Sequence, residues 1–422
     1  MTNAGFADLP GQPGAGPDAA DGGSGPMPYV CQSCGAGYGD ADLRWRCDCG
    51  GILDFRMPAA RVADFRPAAS GVWRYASLLP RAAVAARISI GEHATPLVLS
   101  ERLGVLLKLD HLMPSGSYKD RGAAVLASRL SGLGVREIVL DSSGNAGAAM
   151  STYCAAAGIA ATVFVPAGNS PMKLAQSVAL GARLRPVPGP RRAATEAARE
   201  AAADSFYASH NWSPDFGAGL ATLALEIWEQ LGGRAPSAVL APCGNGGIVL
   251  GLATGFDALL RGGLIERLPR LVAVQSAAFG SVADALARGL DQPERLSAGA
   301  GTIAEGIACE LPVRGAQVLA AIRVSDGAAI TVTDQEITDA ALALAAGGFY
   351  AEPTGAVGYA GLRALRGKDG TSALLGESPV VIISGSGLKS GRALADLRDP
   401  SWWPAGAGCR GAARAPRRPR RW

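Results

Sequence analysis

The chain has 422 residues, 48% of them apolar and 18% charged, with a formal net charge of +4; that is enough to bury a substantial core in about two or three domains. No uninterrupted apolar stretch reaches the roughly 18 to 20 residues of a membrane span, and the first 26 residues lack the basic start and apolar core of a secretion signal. The expectation is a cytoplasmic protein without a membrane partner. Six arginines fall in the last fourteen residues, so the basic surplus belongs to the tail, and the near-neutral body argues against a nucleic-acid partner.

Residues 1–26 are mostly Gly, Pro, Ala and Asp and read as disordered. Residues 27–56 hold Cys31, Cys34, Cys47 and Cys49 as C-x2-C followed by C-x-C, whereas Cys154, Cys243, Cys309 and Cys409 are scattered. Thiolates delivered from two tight turns suit tetrahedral zinc in a structural, ribbon-like module, with iron or a metal-free relic as the alternatives. An Ala- and Arg-rich linker follows. Short apolar runs then recur at Val105 to Leu109, Glu137 to Leu140, Ala161 to Val165, Ser237 to Leu240, Leu271 to Val274 and Val380 to Ile383. Helix-like stretches lie between them at Gly122 to Leu130, Ala146 to Ala157, Pro171 to Leu180, Ala193 to Ala203 and Gly219 to Leu231. Alternating buried strands and helices imply an α/β fold with parallel sheets. The division expected is a large domain of residues 57–105 and 210–395, a small mobile domain of 106–209, and a basic disordered tail at 396–422.

Lys119 stands in Pro114-Ser115-Gly116-Ser117-Tyr118-Lys119-Asp120-Arg121-Gly122, in a chain with five lysines and 35 arginines. An arginine keeps its proton, whereas a lysine with a lowered pKa can form an imine with an aldehyde. Taken alone, a lysine in such a Gly/Ser turn is more often a surface residue. Three Gly-rich turns sit where a strand passes into a helix: Ser142-Ser143-Gly144-Asn145-Ala146-Gly147, Gly244-Asn245-Gly246-Gly247-Ile248 and Ser384-Gly385-Ser386-Gly387. Such turns offer backbone N–H groups to an anion beside the positive end of a helix dipole, although each alone can be a tight reversal and nothing more. The spacing at Gly244 is not G-x-G-x-x-G, which argues against a nicotinamide cofactor.

The order of these motifs, with Ala351-Glu352-Pro353-Thr354 between the last two turns and Lys389 closing the series, resembles the fold type II (tryptophan synthase β-like) pyridoxal-phosphate-dependent enzymes. Within them it is most similar to the threonine synthase-like proteins that carry a cysteine module ahead of the catalytic body. The resemblance covers roughly residues 29–390. It implies a homodimeric lyase of amino-acid biosynthesis that binds a small amino acid. Lys119 would hold pyridoxal 5'-phosphate as a Schiff base and serve as the base. Asn145 would meet the ring 3-oxygen, Gly244, Asn245, Gly246, Gly247 and Ile248 the cofactor phosphate, and Ser384 the pyridine nitrogen. Ser142, Ser143, Ser115 and Asn211 would contact substrate, and Glu352 would lie beside the ring. A serine at the pyridine nitrogen gives a weaker electron sink than a carboxylate, which favours elimination and replacement.

The reaction so implied is elimination from O-phospho-L-homoserine and addition of water to give L-threonine. The alternative is a threonine or serine dehydratase, or a β-replacing enzyme of the same fold. Where the family carries an Arg and a Lys for the substrate phosphate, this chain has Phe216 and Ala221; a buried dianion needs fixed donors, for which His210 and Asn211 offer hydrogen bonds and Arg121 or Lys173 a cation that could be recruited.

Overall fold

A computed structural model describes residues 27–142, 144–169, 171–296, 301–368 and 370–389, with the backbone alone at 171–173 and 372. Ser143, the Lys173 side chain, the first 26 residues and the basic tail lie outside the described parts.

Three short strands, β1 (Tyr29–Cys31), β2 (Gly37–Tyr38) and β3 (Leu53–Phe55), form an antiparallel sheet in the order β2-β1-β3. The chain then passes through α1 (Arg81–Ala85) to β4 (Leu97–Ser100), β5 (Val105–Lys108) and α2 (Lys119–Gly132). The next stretch alternates strictly: β6 (Glu137–Leu140), α3 (Asn145–Ala157), β7 (Ala160–Pro166), α4 (Pro171–Ala179), β8 (Arg183–Val187), α5 (Arg191–Ala201), β9 (Phe206–Tyr207) and α6 (Pro214–Gln230). It continues as β10 (Ala238–Pro242), α7 (Gly247–Arg261), β11 (Arg270–Ser276), α8 (Ser281–Ala287), α9 (Gly315–Val324), β12 (Ala328–Val332), α10 (Asp334–Ala346), α11 (Pro353–Arg366) and β13 (Val380–Ile382).

The second half of this alternation and β4–β5 build a six-stranded sheet, β12-β11-β10-β13-β5-β4, parallel except for the β4–β5 pair. The first half builds a fully parallel four-stranded sheet, β8-β7-β6-β9. Central strands are apolar on both faces because helices cover both; all five residues of β10 are buried. β5, placed by the sequence with the small domain, pairs with β13 and β4 in the six-stranded sheet. Its Val105 and Leu107 side chains are buried in the core of that larger sheet. The smaller sheet's strands span residues 137–207.

One charged cluster fixes the start of α2. Arg121, fully buried, donates to both carboxylate oxygens of Asp110 at 2.8 and 2.9 Å and to Glu226 at 2.8 Å. Lys108 completes it, donating to Glu226 and to the Thr95 carbonyl. Two cations and two anions leave the cluster neutral, the condition under which buried charges are tolerated. Arg121 is therefore committed to the core and is not the replacement cation expected for substrate.

Candidate active site

The carboxyl ends of neighbouring parallel strands deliver the site. β10, β13 and β5 lie side by side and lead into the Gly244 turn, Ser384 and the segment before Lys119. In the smaller sheet β6 and β9 are neighbours and lead to Ser142–Asn145 and to His210–Asn211. Ligands in open α/β sheets bind at such ends.

Backbone hydrogen bonds join two of these segments. The Tyr118 N–H donates to the Ser384 carbonyl at 3.0 Å, and the Ser386 N–H to the Gly116 carbonyl at 2.9 Å. Lys119, the first residue of α2, is thereby held next to Ser384, which is itself buried. The Lys119 amine lies 4.7 Å from the Tyr118 ring centre and 5.7 Å from that of Phe216. Loss of water around the amine, reinforced by the positive charge of Arg191, pushes its pKa down to about 7. Near neutrality a lysine so placed has a substantial free-amine fraction, which imine formation requires. His210, with its ring 5.9 Å from Phe216, is held neutral by burial and by the charges of Lys119 and Arg191.

Asn145 opens α3 and donates through Nδ2 to Glu352 Oε1 at 2.6 Å. Gly385 lies between these two side chains, and a Cβ there would overlap the Glu352 carboxylate. Ser142 is buried just before them. The Gly244 turn precedes α7, with Gly246 at φ +81°, a left-handed conformation that releases the turn into the helix. Ile248 faces the core instead of the cleft, and the Asn245 side-chain Oδ1 accepts from the Cys309 thiol at 3.4 Å and from the Val313 N–H at 3.5 Å. The Ser115 hydroxyl and N–H are both taken up by Asp120, so its expected substrate contact competes with an internal pair.

A pyridoxal phosphate fits these residues: a depressed lysine, a helix N-terminus bare of side chains for a phosphate, and a glycine that leaves room between Asn145 and Glu352. A cavity of about 260 Å³ opens beside this cleft, walled by His210, Asn211, Asn245, Arg314 and the cysteine module. Lys119 is not in its wall.

Within the module the four thiols converge, each sulfur within 4.8 Å of the others. Two sulfur pairs, Cys31–Cys49 and Cys34–Cys47, stand 3.6 Å apart, beyond a disulfide bond and close to the roughly 3.8 Å edge of a tetrahedron with 2.3 Å metal–sulfur bonds. Gly35 and Gly50, each directly after a cysteine, take positive φ and turn the chain back toward the cluster.

Comparison with known proteins agrees with this geometry. Residues 88–385 match the family described as "Pyridoxal-phosphate dependent enzyme". The threonine synthase of Methanocaldococcus jannaschii is 31% identical over 79% of this chain and 86% of its own length. That of Mycobacterium leprae is 34% identical over 76% and 89%. Among solved structures, a threonine deaminase from T.th. superposes with a TM-score of 0.62 at 28% identity, covering 73% of this chain and 98% of that one. Maize serine racemase, at 22% identity and a TM-score of 0.64 over 75% and 95%, shares the fold. The chain belongs to the pyridoxal-phosphate dependent enzymes, as a lyase of the threonine synthase-like group.

Two cleft residues went unrecognised in the sequence. Arg191 leads α5 and donates to the Asp141 carbonyl at 3.2 Å, immediately before Ser142. Its neighbour Arg192 pairs along the helix with Glu196, whereas Arg191 is in no ion pair among the described residues and its positive charge acts on Lys119 and His210. Arg314 is the other. An Arg-Arg pair in a polar helix and an isolated arginine before another carry no motif, so only the tertiary structure singles them out.

Proposed function

We propose that the chain eliminates an anionic leaving group from an O-activated amino acid and adds water, with O-phospho-L-homoserine as substrate and L-threonine as product. The observation that carries this reading is the Arg191 cation beside the cleft, in a chain whose relatives at 31–34% identity are threonine synthases along most of its length. Phe216 and Ala221, standing where cations were expected, are fully buried in α6, and Phe216 packs directly on Gly122. On this reading the phosphate-binding charge would come from the start of α5 instead of α6.

When bound, the cofactor supplies an electron sink conjugated to the substrate α-carbon. The protein's part follows from the positions given above. The Gly244–Gly247 turn and the start of α7 would hold the cofactor phosphate. Asn145 and Ser384 would hydrogen-bond opposite sides of the ring, with Glu352 setting the Asn145 amide. Ser142 and the start of α3 would orient the substrate carboxylate. Lys119, whose pKa near 7 gives it a ready free-amine fraction, would take the α-proton and return it. Phe216 shields the amine from water, while neutral His210 can accept or donate a hydrogen bond without adding charge. Arg191 would stabilise the departing phosphate as its C–O bond breaks. The four-stranded unit would close on the substrate carboxylate and exclude water until Cβ is ready to accept it. The cysteine cluster is proposed as a structural zinc site, its four thiolates leaving no position open for chemistry.

A second reading draws on Phe216: the apolar wall it places beside Lys119 suits a threonine or serine dehydratase, whose leaving group is hydroxide instead of a dianion. The test is an assay of cofactor-loaded protein with O-phospho-L-homoserine, L-threonine and L-serine in parallel. Phosphate and L-threonine released together support the first reading. A 2-oxo acid from threonine or serine, without phosphate release from the phosphorylated substrate, replaces it with the second.

A further inference from the structure

Arg314, the residue that caps the start of α9, engages every donor it has. Its Nε donates to the Asn211 carbonyl at 2.9 Å, and its Nη2 to the carbonyls of Trp212 and Leu53 at 3.0 and 2.8 Å. Its Nη1 donates to Asp54 and, at 3.1 Å, to Gln317. A guanidinium carries five N–H donors in a fixed fork, and here each has an acceptor. Two of the acceptors belong to β3 of the cysteine module, and two belong to the segment that carries His210 into the cleft. The preceding residue, Val313, reaches Asn245 in the phosphate turn.

The module's end of this connection runs back to the thiols. Asp54 also accepts from Gln32 at 2.6 Å, and Gln32 lies inside the Cys31–Cys34 loop. A continuous path therefore leads from the cysteine loop through Gln32, Asp54 and Arg314 to the backbone beside His210.

A purely structural bolt is a weaker account, because the module has a separate attachment. Tyr29 donates to Asp215 at 2.6 Å, and Arg129 pairs with the same carboxylate at 2.9 Å while donating to the carbonyls of Asp40 and Asp42. Those groups are buried in the contact with α2 and α6. They hold the module in place without Arg314.

We infer that Arg314 is a positioning residue of the active site, through which the cysteine module fixes the Asn211–Trp212 segment and hence the substrate side of the Lys119 cleft. The inference rests on Lys119 as the cofactor lysine and not on the identity of the leaving group. Arg314→Lys keeps the charge, but its three donors on one nitrogen cannot serve three carbonyls, a carboxylate and an amide oxygen together. Misplacing a substrate-positioning segment by about 1 Å costs on the order of 100-fold in rate.

The test uses cofactor-loaded full-length protein and the variants Arg314→Ala, Arg314→Lys and the milder Asp54→Asn. Thermal midpoint, cofactor content, kcat and KM are measured, together with amino-acid binding read as a change in the visible absorption of the bound cofactor. The expected result is a KM or apparent Kd raised about tenfold or more in Arg314→Ala, an intermediate rise in Asp54→Asn, and little rescue by Arg314→Lys. Cofactor content should stay at the wild-type level. A lowered thermal midpoint with KM and Kd unchanged would overturn the inference and leave Arg314 as a structural bolt. If the wild type turns over threonine or serine in place of O-phospho-L-homoserine, the substrate reading falls, and the Arg314 comparison is made with that amino acid.

Discussion

Asn145 and Glu352, 207 residues apart in sequence, meet at 2.6 Å over Gly385. Asn145 is the first residue of a helix on the smaller sheet and Glu352 immediately precedes α11 beside the larger one, so the contact closes the cleft over the turn that begins at Ser384.

That arrangement makes Gly385 irreplaceable by even one carbon. A Cβ would overlap the Glu352 carboxylate and come within 3.1 Å of the Asn145 amide, and the Gly385 carbonyl is already engaged by the Glu352 N–H. Gly385→Ala should weaken cofactor binding about tenfold or more, measured by equilibrium dialysis, while far-ultraviolet circular dichroism remains unchanged. Equal cofactor affinity in the variant would show that the Asn145–Glu352 pair has no part in holding the ring.

Lys119 carries a pH signature with a definite sign. Its pKa is lowered from 10.5 to about 7, chiefly by burial and then by the charge of Arg191. The amine reacts only when neutral, so the rate of cofactor capture by cofactor-free protein should rise through about pH 7 and level off above it. An ordinary lysine would keep gaining past pH 9. Between about pH 7 and 10.5 the unfolded chain binds the extra proton, so the stability cost of this burial shrinks as pH rises across that window. Arg191→Ala removes a repelling positive charge and should move the midpoint of the capture profile upward. Stopped-flow absorbance across pH 5.5 to 10, with Lys119→Ala as the non-capturing control, checks both statements.

Arg191 should also separate substrates. Arg191→Ala is expected to raise KM for O-phospho-L-homoserine and the inhibition constant of inorganic phosphate by about tenfold, because a charge-assisted contact to a dianion is lost. Any turnover of L-threonine should change less than threefold. Arg191→Lys should restore part of the phosphate effect. Phosphate inhibition identical in wild type and Arg191→Ala would place the anion elsewhere in the cleft.

Much of this was legible in the sequence because the central strands advertise themselves. The runs at 105, 137, 161, 237, 271 and 380 became β5, β6, β7, β10, β11 and β13, since a strand covered on both faces must be apolar throughout. Edge strands gave no such signal. β8 reads Arg-Leu-Arg-Pro-Val and has two half-buried residues among five, and β12 is mostly half-exposed. α10 could have been found from its capping box, Thr333 with Glu336, which the structure forms in full. The motif turns were readable because Gly-rich segments fall where a strand passes into the start of α3 or α7. Arg314 was not: its partners Asn211 and Leu53 lie 103 and 261 residues away, and no local pattern records them.

The buried cluster behind Lys119 gives the last expectation. Arg121, Asp110, Glu226 and Lys108 are fully or nearly fully buried, and the attraction between unlike charges holds both carboxyls below their ordinary range despite burial. Removing one member leaves an uncompensated charge in a place without water, a loss of about 3–5 kcal/mol for a broken buried pair. Arg121→Met should therefore lower the denaturant midpoint substantially, since the Asp110 carboxylate keeps only the Thr95 hydroxyl and the charge of Lys108. The double variant Arg121→Met with Asp110→Asn should recover a good part of that loss, because it restores neutrality. In acid the two carboxyls act in one direction: with folded pKa values depressed, they contribute stability above their unfolded values, near pH 4, and lose it as pH falls through the folded values. The wild type should lose stability in acid more steeply than the neutral double variant. Equal acid sensitivity in urea melts between pH 3 and 7 would mean that the cluster is not what ties α2 to the core.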